Sequence, residues 1–193
     1  MNFFAIIPCL YLASLSLLPA ADWLQFRGSD NTGVAANSKL PTDLDKDKHI
    51  AWQTPLPGRG LSSPLVIGER VFITAASTSD QSRLHIICLN STDGSIRWSR
   101  EFWATGRTVC HEKTCNAAPT PASDGAHIYA LFSSNDLICL DLEGNLKWFR
   151  GLMQDYPNAS NSLGLASSPV ITAGTLVIQI ENDSDSFAMG IEL

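Results

Sequence analysis

Residues 87–98 read ICLNSTDGSIRW, and residues 138–148 read ICLDLEGNLKW. Each stretch is an apolar run ending in Cys-Leu, then a polar turn with one glycine, then a basic residue and a tryptophan. Three further stretches repeat in the same way: LSSPLVIGERVFITAAS (61–77), AAPTPASDGAHIYALFS (117–133) and LASSPVITAGTLVIQIE (165–181). In each of these a proline (Pro64, Pro121 or Pro169) precedes a short apolar run, a tight turn and a longer apolar run. Trp52, Trp98 and Trp148 recur at intervals of about 50 residues, a period typical of propeller blades and related arrays.

Each unit reads as four antiparallel strands, at about 62–67, 70–76, 84–89 and 95–102 in the first. Gly68, Gly125 and Gly174 sit where a two-residue hairpin demands a positive φ. The second strands, RVFITAA and HIYALF, are apolar nearly throughout rather than alternating, as expected of a sheet covered on both faces. The fourth run of the first unit, IRWSREF, alternates and carries Arg97, Arg100 and Glu101, as an exposed outermost strand should. No helical spacing is sustained. The sequence predicts an all-β chain of about three four-stranded blades, near 62–102, 118–151 and 166–193, within a partial β-propeller over 51–193.

Gly94 and Gly144 each lie four residues before a tryptophan, Trp98 and Trp148. Glycine makes the turn, while the indole, with its large apolar area and its N–H, suits a seam between adjacent sheets. These four residues are the structural signature of the repeat.

The two stretches resemble the tryptophan-docking motif of the pyrroloquinoline-quinone-like (quinoprotein) β-propeller repeats, in a form typical of exported bacterial proteins. That family includes quinoprotein alcohol dehydrogenases and the propeller lipoprotein of the outer-membrane β-barrel assembly complex. The opening DWLQFRGSDNTGV and the pairing of IAWQTPLPGRG with SSPLVIGERVF carry the resemblance through residues 22–193. Asn90 stands where an Asp is usual, Asp141 keeps it, and Trp52 has no preceding glycine. Trp52 therefore reads as part of a lone outer strand that would complete the last blade of a closed ring. After AMGIEL no turn glycine or tryptophan follows. Three blades fall short of the usual four to eight, so the chain reads as a fragment whose missing blades come from the rest of the protein or another chain.

The first 21 residues, apolar over 3–20 apart from two serines and ending in small residues before Asp22, read as a signal peptide cleaved after Ala20 or Ala21. Export to the periplasm or cell envelope is the expectation, and an uncleaved N-terminal anchor is the weaker alternative. Residues 22–50 read as an N-terminal extension. The net charge of −6 excludes a nucleic-acid partner, which would call for a basic face.

In an up-and-down blade the second-to-third turns and the inter-blade links share one end. That end is loop-rich here and gathers His111, Lys113, Asp155, Tyr156, Asn158, Asn161, Asn182 and Asp183 as candidate ligand-face residues. Cys110 and Cys115 share one loop and are candidates for a local disulfide in an oxidising compartment. Cys88 and Cys139 occupy equivalent third-strand positions and read as buried small hydrophobes. CHEKTC (110–115) supplies too few ligands for zinc, and ENDSDSF (181–187) lacks the glycine and distal glutamate of a calcium loop. No catalytic residue is assigned. Two functions are expected: a non-catalytic scaffold binding a protein, peptide or extracellular polymer, with no cofactor; or, as the resemblance implies, a quinoprotein dehydrogenase using PQQ and calcium. The vicinal cysteine pair common in those dehydrogenases does not occur in this sequence.

Overall fold

The computed structural model describes residues 22–35, 41–43, 45, 48–159, 162–183 and 186–193. The expected signal peptide lies outside the described residues.

The chain forms three antiparallel sheets in sequence order. The first is β1 (Leu65–Ile67), β2 (Arg70–Ser77), β3 (Arg83–Asn90) and β4 (Ile96–Trp103). The second is β5 (Ala122–Ser123), β6 (His127–Leu131), β7 (Asp136–Asp141) and β8 (Leu146–Gly151). The third has three strands: β9 (Val170–Thr172), β10 (Thr175–Ile180) and β11 (Phe187–Glu192). A single helical turn, α1 (Leu152–Asp155), follows β8. The predicted strands of the first unit match the observed ones to within a residue or two, except β1, whose regular part is shorter. Upstream of β1 the pairing is interrupted, and Arg59 bridges Ala76 on its own.

Side-chain alternation explains how each sheet covers two neighbours. Phe72 and Ala76 of β2, with Leu84, Ile86 and Cys88 of β3, pack against Ile128, Ala130, Ile138 and Leu140 of the second sheet. The intervening Ala75, Ile87 and Leu89 point the other way, toward Trp52. The second sheet repeats this: Tyr129, Leu131, Leu137 and Cys139 face Leu176, Ile178 and Ile180 of the third. Period-two alternation places successive residues on opposite faces, so a strand between two covered faces must be apolar throughout. Burying each such large side chain contributes about 1.5–3 kcal/mol.

At the seams, Trp98 covers Gly144 of the next unit rather than Gly94 of its own hairpin, and Trp52 covers Gly94. Gly144 has φ 82°, and a Cβ on it would lie 2.8 Å from Trp98 Cδ2. Gly94 has φ 71°, and its Cβ would lie 2.6 Å from Trp52 Cδ2. Trp98 Nε1 donates to Leu142 O at 3.0 Å, and Trp52 Nε1 donates to Ser91 O at 2.9 Å. Within the second turn, Asp141 accepts from the Glu143 and Asn145 amides at 3.1 and 2.8 Å.

Residues 23–25 are bonded to all three sheets. Trp23 exchanges two backbone hydrogen bonds with Val66 of β1, at 2.8 and 3.0 Å. Ser123 N of β5 donates to Leu24 O at 2.8 Å, and Ile171 N of β9 donates to Gln25 Oε1 at 3.0 Å. Three consecutive residues thus bond to the first strand of every sheet, at the short-turn end.

Glycine substitutions test the seam. Gly125, at φ 91°, has no atom within 4 Å of the place a methyl would take, so Gly125→Ala should cost only the left-handed strain of about 1–2 kcal/mol. Gly144→Ala should cost about 1–3 kcal/mol more, because the methyl meets an indole that cannot yield. Urea denaturation of both variants measures the difference.

Candidate functional site

The loop-rich end is organised by the tight turn between β6 and β7. Ser134, Asn135 and Asp136 in this turn are all nearly inaccessible. Asp136 accepts from Thr105 N at 3.0 Å, from Thr105 Oγ1 at 2.5 Å and from Ser134 Oγ at 2.6 Å. Asn116 donates through Nδ2 to Gln81 O at 3.1 Å, and its Oδ1 accepts from Ser134 N at 2.8 Å. Leu165 N donates to Ser133 Oγ at 2.7 Å, and Leu152 N to Asn135 O at 2.9 Å. One buried turn therefore holds the loops around 81, 103–117 and 152–165. Asn135 Nδ2 donates to Ala159 O, while its Oδ1 is buried without a partner among the described residues.

Over this hub the outer loops meet in series. His111 N donates to Leu163 O at 3.0 Å, and Ser162 N donates to Asp183 Oδ2 at 3.0 Å. His111, Asp183 and the 162–164 stretch are thereby joined in one surface. His111 Nδ1 accepts from Lys113 N at 3.1 Å, which leaves the Lys113 side chain exposed on the same loop. Val109 and Leu163 are more than half exposed among these polar groups.

The remaining candidates scatter somewhat. Tyr156 packs tilted against Phe187 with ring centroids 4.8 Å apart, toward the third sheet. Asp155 is paired with Arg150 Nε at 2.7 Å. Asn158 is exposed, and Asn182 N donates to Ser186 Oγ at 3.1 Å. Asn161 lies outside the described residues.

The expected disulfide is not formed: Cys110 and Cys115 are both free thiols. Cys115 is fully buried in the core between the first two sheets. Cys110 stays half-buried in the loop, where Gln81 Nε2 approaches its sulfur at 3.5 Å and Gly164 packs closely on it. Loop spacing brought the two cysteines near in sequence, and packing sent Cys115 into the core. Cys88 and Cys139 are buried as expected, and burial pushes both thiols up to about 11. In the native protein a thiol reagent should therefore modify only Cys110 among the four, and the other three should react only on unfolding. Mass spectrometry after brief alkylation reads this directly.

One arrangement escaped the sequence reading. Ser77 Oγ lies 2.8 Å from His85 Nε2, and His85 Nδ1 lies 3.8 Å from Glu101 Oε2. These residues come from β2, β3 and β4, in the order of a hydrolytic Ser-His-acid relay. The His–Glu separation exceeds hydrogen-bond length, and Glu101 is engaged by Arg83, itself stacked 4.1 Å over Trp103. His85 is thus a buried, neutral structural histidine. Burial, reinforced by the Arg83 charge, lowers its pKa below the ordinary histidine value. A group depressed on folding lends stability that is full above its unfolded pKa and declines as pH falls below it. Stability should fall as pH drops below about 6.5, and His85→Gln should flatten that limb in denaturation midpoints measured across the range.

Among the described residues no group of three or more His, Cys, Asp or Glu side chains is placed to hold a metal ion. No helix among them is long and apolar enough to cross a membrane.

Three sheets of one repeat, stacked face to face and incomplete as a ring, define a partial β-propeller of PQQ-like repeats. Residues 26–189 match the family described as outer membrane protein assembly factor BamB, and the chain belongs to that family. A curated relative, a polyvinylalcohol dehydrogenase from a Pseudomonas species, is 24% identical over 142 residues, covering 72% of this chain and 20% of that protein. The quinohemoprotein alcohol dehydrogenase ADHIIG of Pseudomonas putida HK5 superposes with a TM-score of 0.56 at 16% identity, over 74% of this chain and 20% of its own. The quinohemoprotein alcohol dehydrogenase of Comamonas testosteroni gives 0.53 at 16% identity, over 70% and 20%. The chain spans about one-fifth of these proteins. At such identities the structures share the fold with this chain and nothing finer.

Proposed function

We propose that this chain is part of an exported propeller, resident in the periplasm or cell envelope, that acts as a non-catalytic scaffold and binds a protein partner through its loop-rich end. The observation that carries this reading is the joined surface of the 103–117, 162–165 and 181–183 loops. There Val109 and Leu163 stand exposed beside His111, Lys113 and Asp183, above a buried polar hub that fixes the loops in place. Apolar anchors ringed by polar groups on a rigid base are the anatomy of a protein-binding patch. Membership of a family described by an assembly factor agrees with a protein ligand.

The second reading is a quinoprotein dehydrogenase, favoured by the names of the curated relative and of the two superposed structures. Such an enzyme would hold PQQ and calcium. The described residues do not fit that group: no cluster of carboxylates or other metal-binding side chains converges, and the sequence has no adjacent cysteine pair. No catalytic step is therefore assigned to them.

Photo-crosslinking distinguishes the two. A reactive residue placed at Val109 or Leu163 should capture one and the same envelope protein, and a residue placed at Leu146 on the outer strand β8 should not. Leu163→Asp should weaken that complex about tenfold or more without changing the melting temperature. Quinone-dependent oxidation of an alcohol by the purified protein with PQQ and calcium would overturn the scaffold reading.

A further inference from the structure

The first two sheets carry one position twice, with different chemistry. Tyr129 of β6 occupies the place that Phe72 holds in β2. Each pairs across the sheet with a third-strand cysteine, Cys139 or Cys88, which in turn pairs with Trp148 or Trp98. The contact between ring and indole is nearly the same in both, with centroids 5.8 Å apart for Phe72 and Trp98 and 6.0 Å for Tyr129 and Trp148. Phenylalanine therefore satisfies the packing. The hydroxyl of Tyr129, on a side chain almost wholly buried, is an addition that the sheet does not need.

This addition comes with two partners. Tyr129 Oη donates to Asp124 Oδ2 at 3.0 Å, and His127 Nδ1 lies 3.0 Å from the same oxygen. Asp124 Oδ1 accepts from the Ala126 and His127 amides at 2.8 and 2.6 Å. The corresponding residues of the first sheet are Ile67 and Arg70, and Arg70 turns instead to Glu143. Burial raises the Tyr129 pKa and the bond to Asp124 raises it further, so the phenol keeps its proton. Burial also acts to raise Asp124, but the hydrogen bonds from His127, Ala126 and Tyr129 outweigh it and hold the carboxyl below its ordinary value. A protonated phenol thus points at an ionised carboxylate that also holds a partly exposed imidazole.

A buried phenol gives up an electron easily only when its proton has an acceptor at hand, and here the acceptor is in place. We infer that Tyr129 is a redox-active tyrosine that takes a one-electron oxidising equivalent from Trp148. An electron passes from the Tyr129 ring to the oxidised indole across the 6.0 Å contact, while the phenolic proton moves along its hydrogen bond to Asp124 Oδ2. The Trp148 cation radical and the Asp124 carboxylate become neutral indole and carboxylic acid, and Tyr129 becomes a neutral phenoxyl radical. The equivalent enters from a one-electron oxidant in solution that first oxidises the half-buried Trp148. His127 offers the proton a path from Asp124 to water. This inference is independent of what the loop-rich end binds.

Pulse radiolysis of the purified chain with azidyl radicals, which attack indole in preference to phenol, tests the relay by transient absorption. Phenoxyl absorption should grow in, at a rate independent of protein concentration, as indole-radical absorption decays. Tyr129→Phe should abolish that growth in a protein that still folds, since Phe72 fills the same place in the first sheet. Tyr156→Phe should leave it intact, because the Tyr156 hydroxyl faces the Met189 sulfur instead of a carboxylate. Trp148→Phe should remove the fast phase. Asp124→Asn should slow the growth about tenfold or more and diminish its solvent isotope effect, a readout that a packing role would not move. Phenoxyl growth that survives Tyr129→Phe, or indole radicals that decay without any phenoxyl, overturns the redox tyrosine. An unchanged rate in Trp148→Phe overturns the indole as its partner, and an unchanged rate in Asp124→Asn overturns the carboxylate as its proton acceptor.

Discussion

A flat indole lying on the bare backbone of a glycine turn is the contact on which this architecture depends. A sheet with two apolar faces cannot exist alone in water, and it needs a neighbour at a fixed distance and angle. The Trp98–Gly144 and Trp52–Gly94 contacts supply that constraint at the outer rim. Each combines a close approach that only glycine permits with a directed N–H bond that sets orientation. Around them Phe72 packs on Trp98 at 5.8 Å between centroids, and Phe102 on Phe149 at 6.0 Å. Arg70 and Glu143 tie the same two sheets at the surface, a pair too exposed to contribute much. The seam is apolar and steric first, and electrostatic last.

The two ends of the stack are held by different means. At the short-turn end, Trp23, Leu24 and Gln25 cross the inner strands and bond to each of them, so the sheets are linked near the axis as well as at the rim. At the other end the linkage is polar and buried. The β6–β7 turn satisfies its Asp136 carboxylate and its Ser134 amide with groups from the 103–117 loop and from Ser134 itself, and such bonds matter because a missing partner leaves a desolvated group behind. Long loops that would otherwise wander are thereby given one conformation, which is what a binding surface needs.

Much of this was legible in advance because it is written in local pattern. Unbroken apolar runs, turn glycines and the spacing of Trp98 and Trp148 are consequences of burial on both faces and of backbone geometry, and both act over a few residues. The loop-rich end followed from strand count alone. What stayed hidden depends on partners far apart in sequence. Ser134, Asn135 and Asp136 look like an ordinary polar hairpin turn, yet they form the buried hub. Cys115 looks like a loop cysteine beside Cys110, yet it belongs to the core. Ser77, His85 and Glu101 share no motif and meet only because three strands lie side by side.

The sequence by itself determined the all-β class, the blade as the unit and the residues that mark each seam, because periodicity and turn chemistry are properties of short segments. Tertiary structure alone decided which glycines Trp52 and Trp98 cover and that residues 23–25 span the inner strands. Those outcomes depend on how whole sheets pack against one another, and packing is set by shape and by bonds between residues that no local pattern connects.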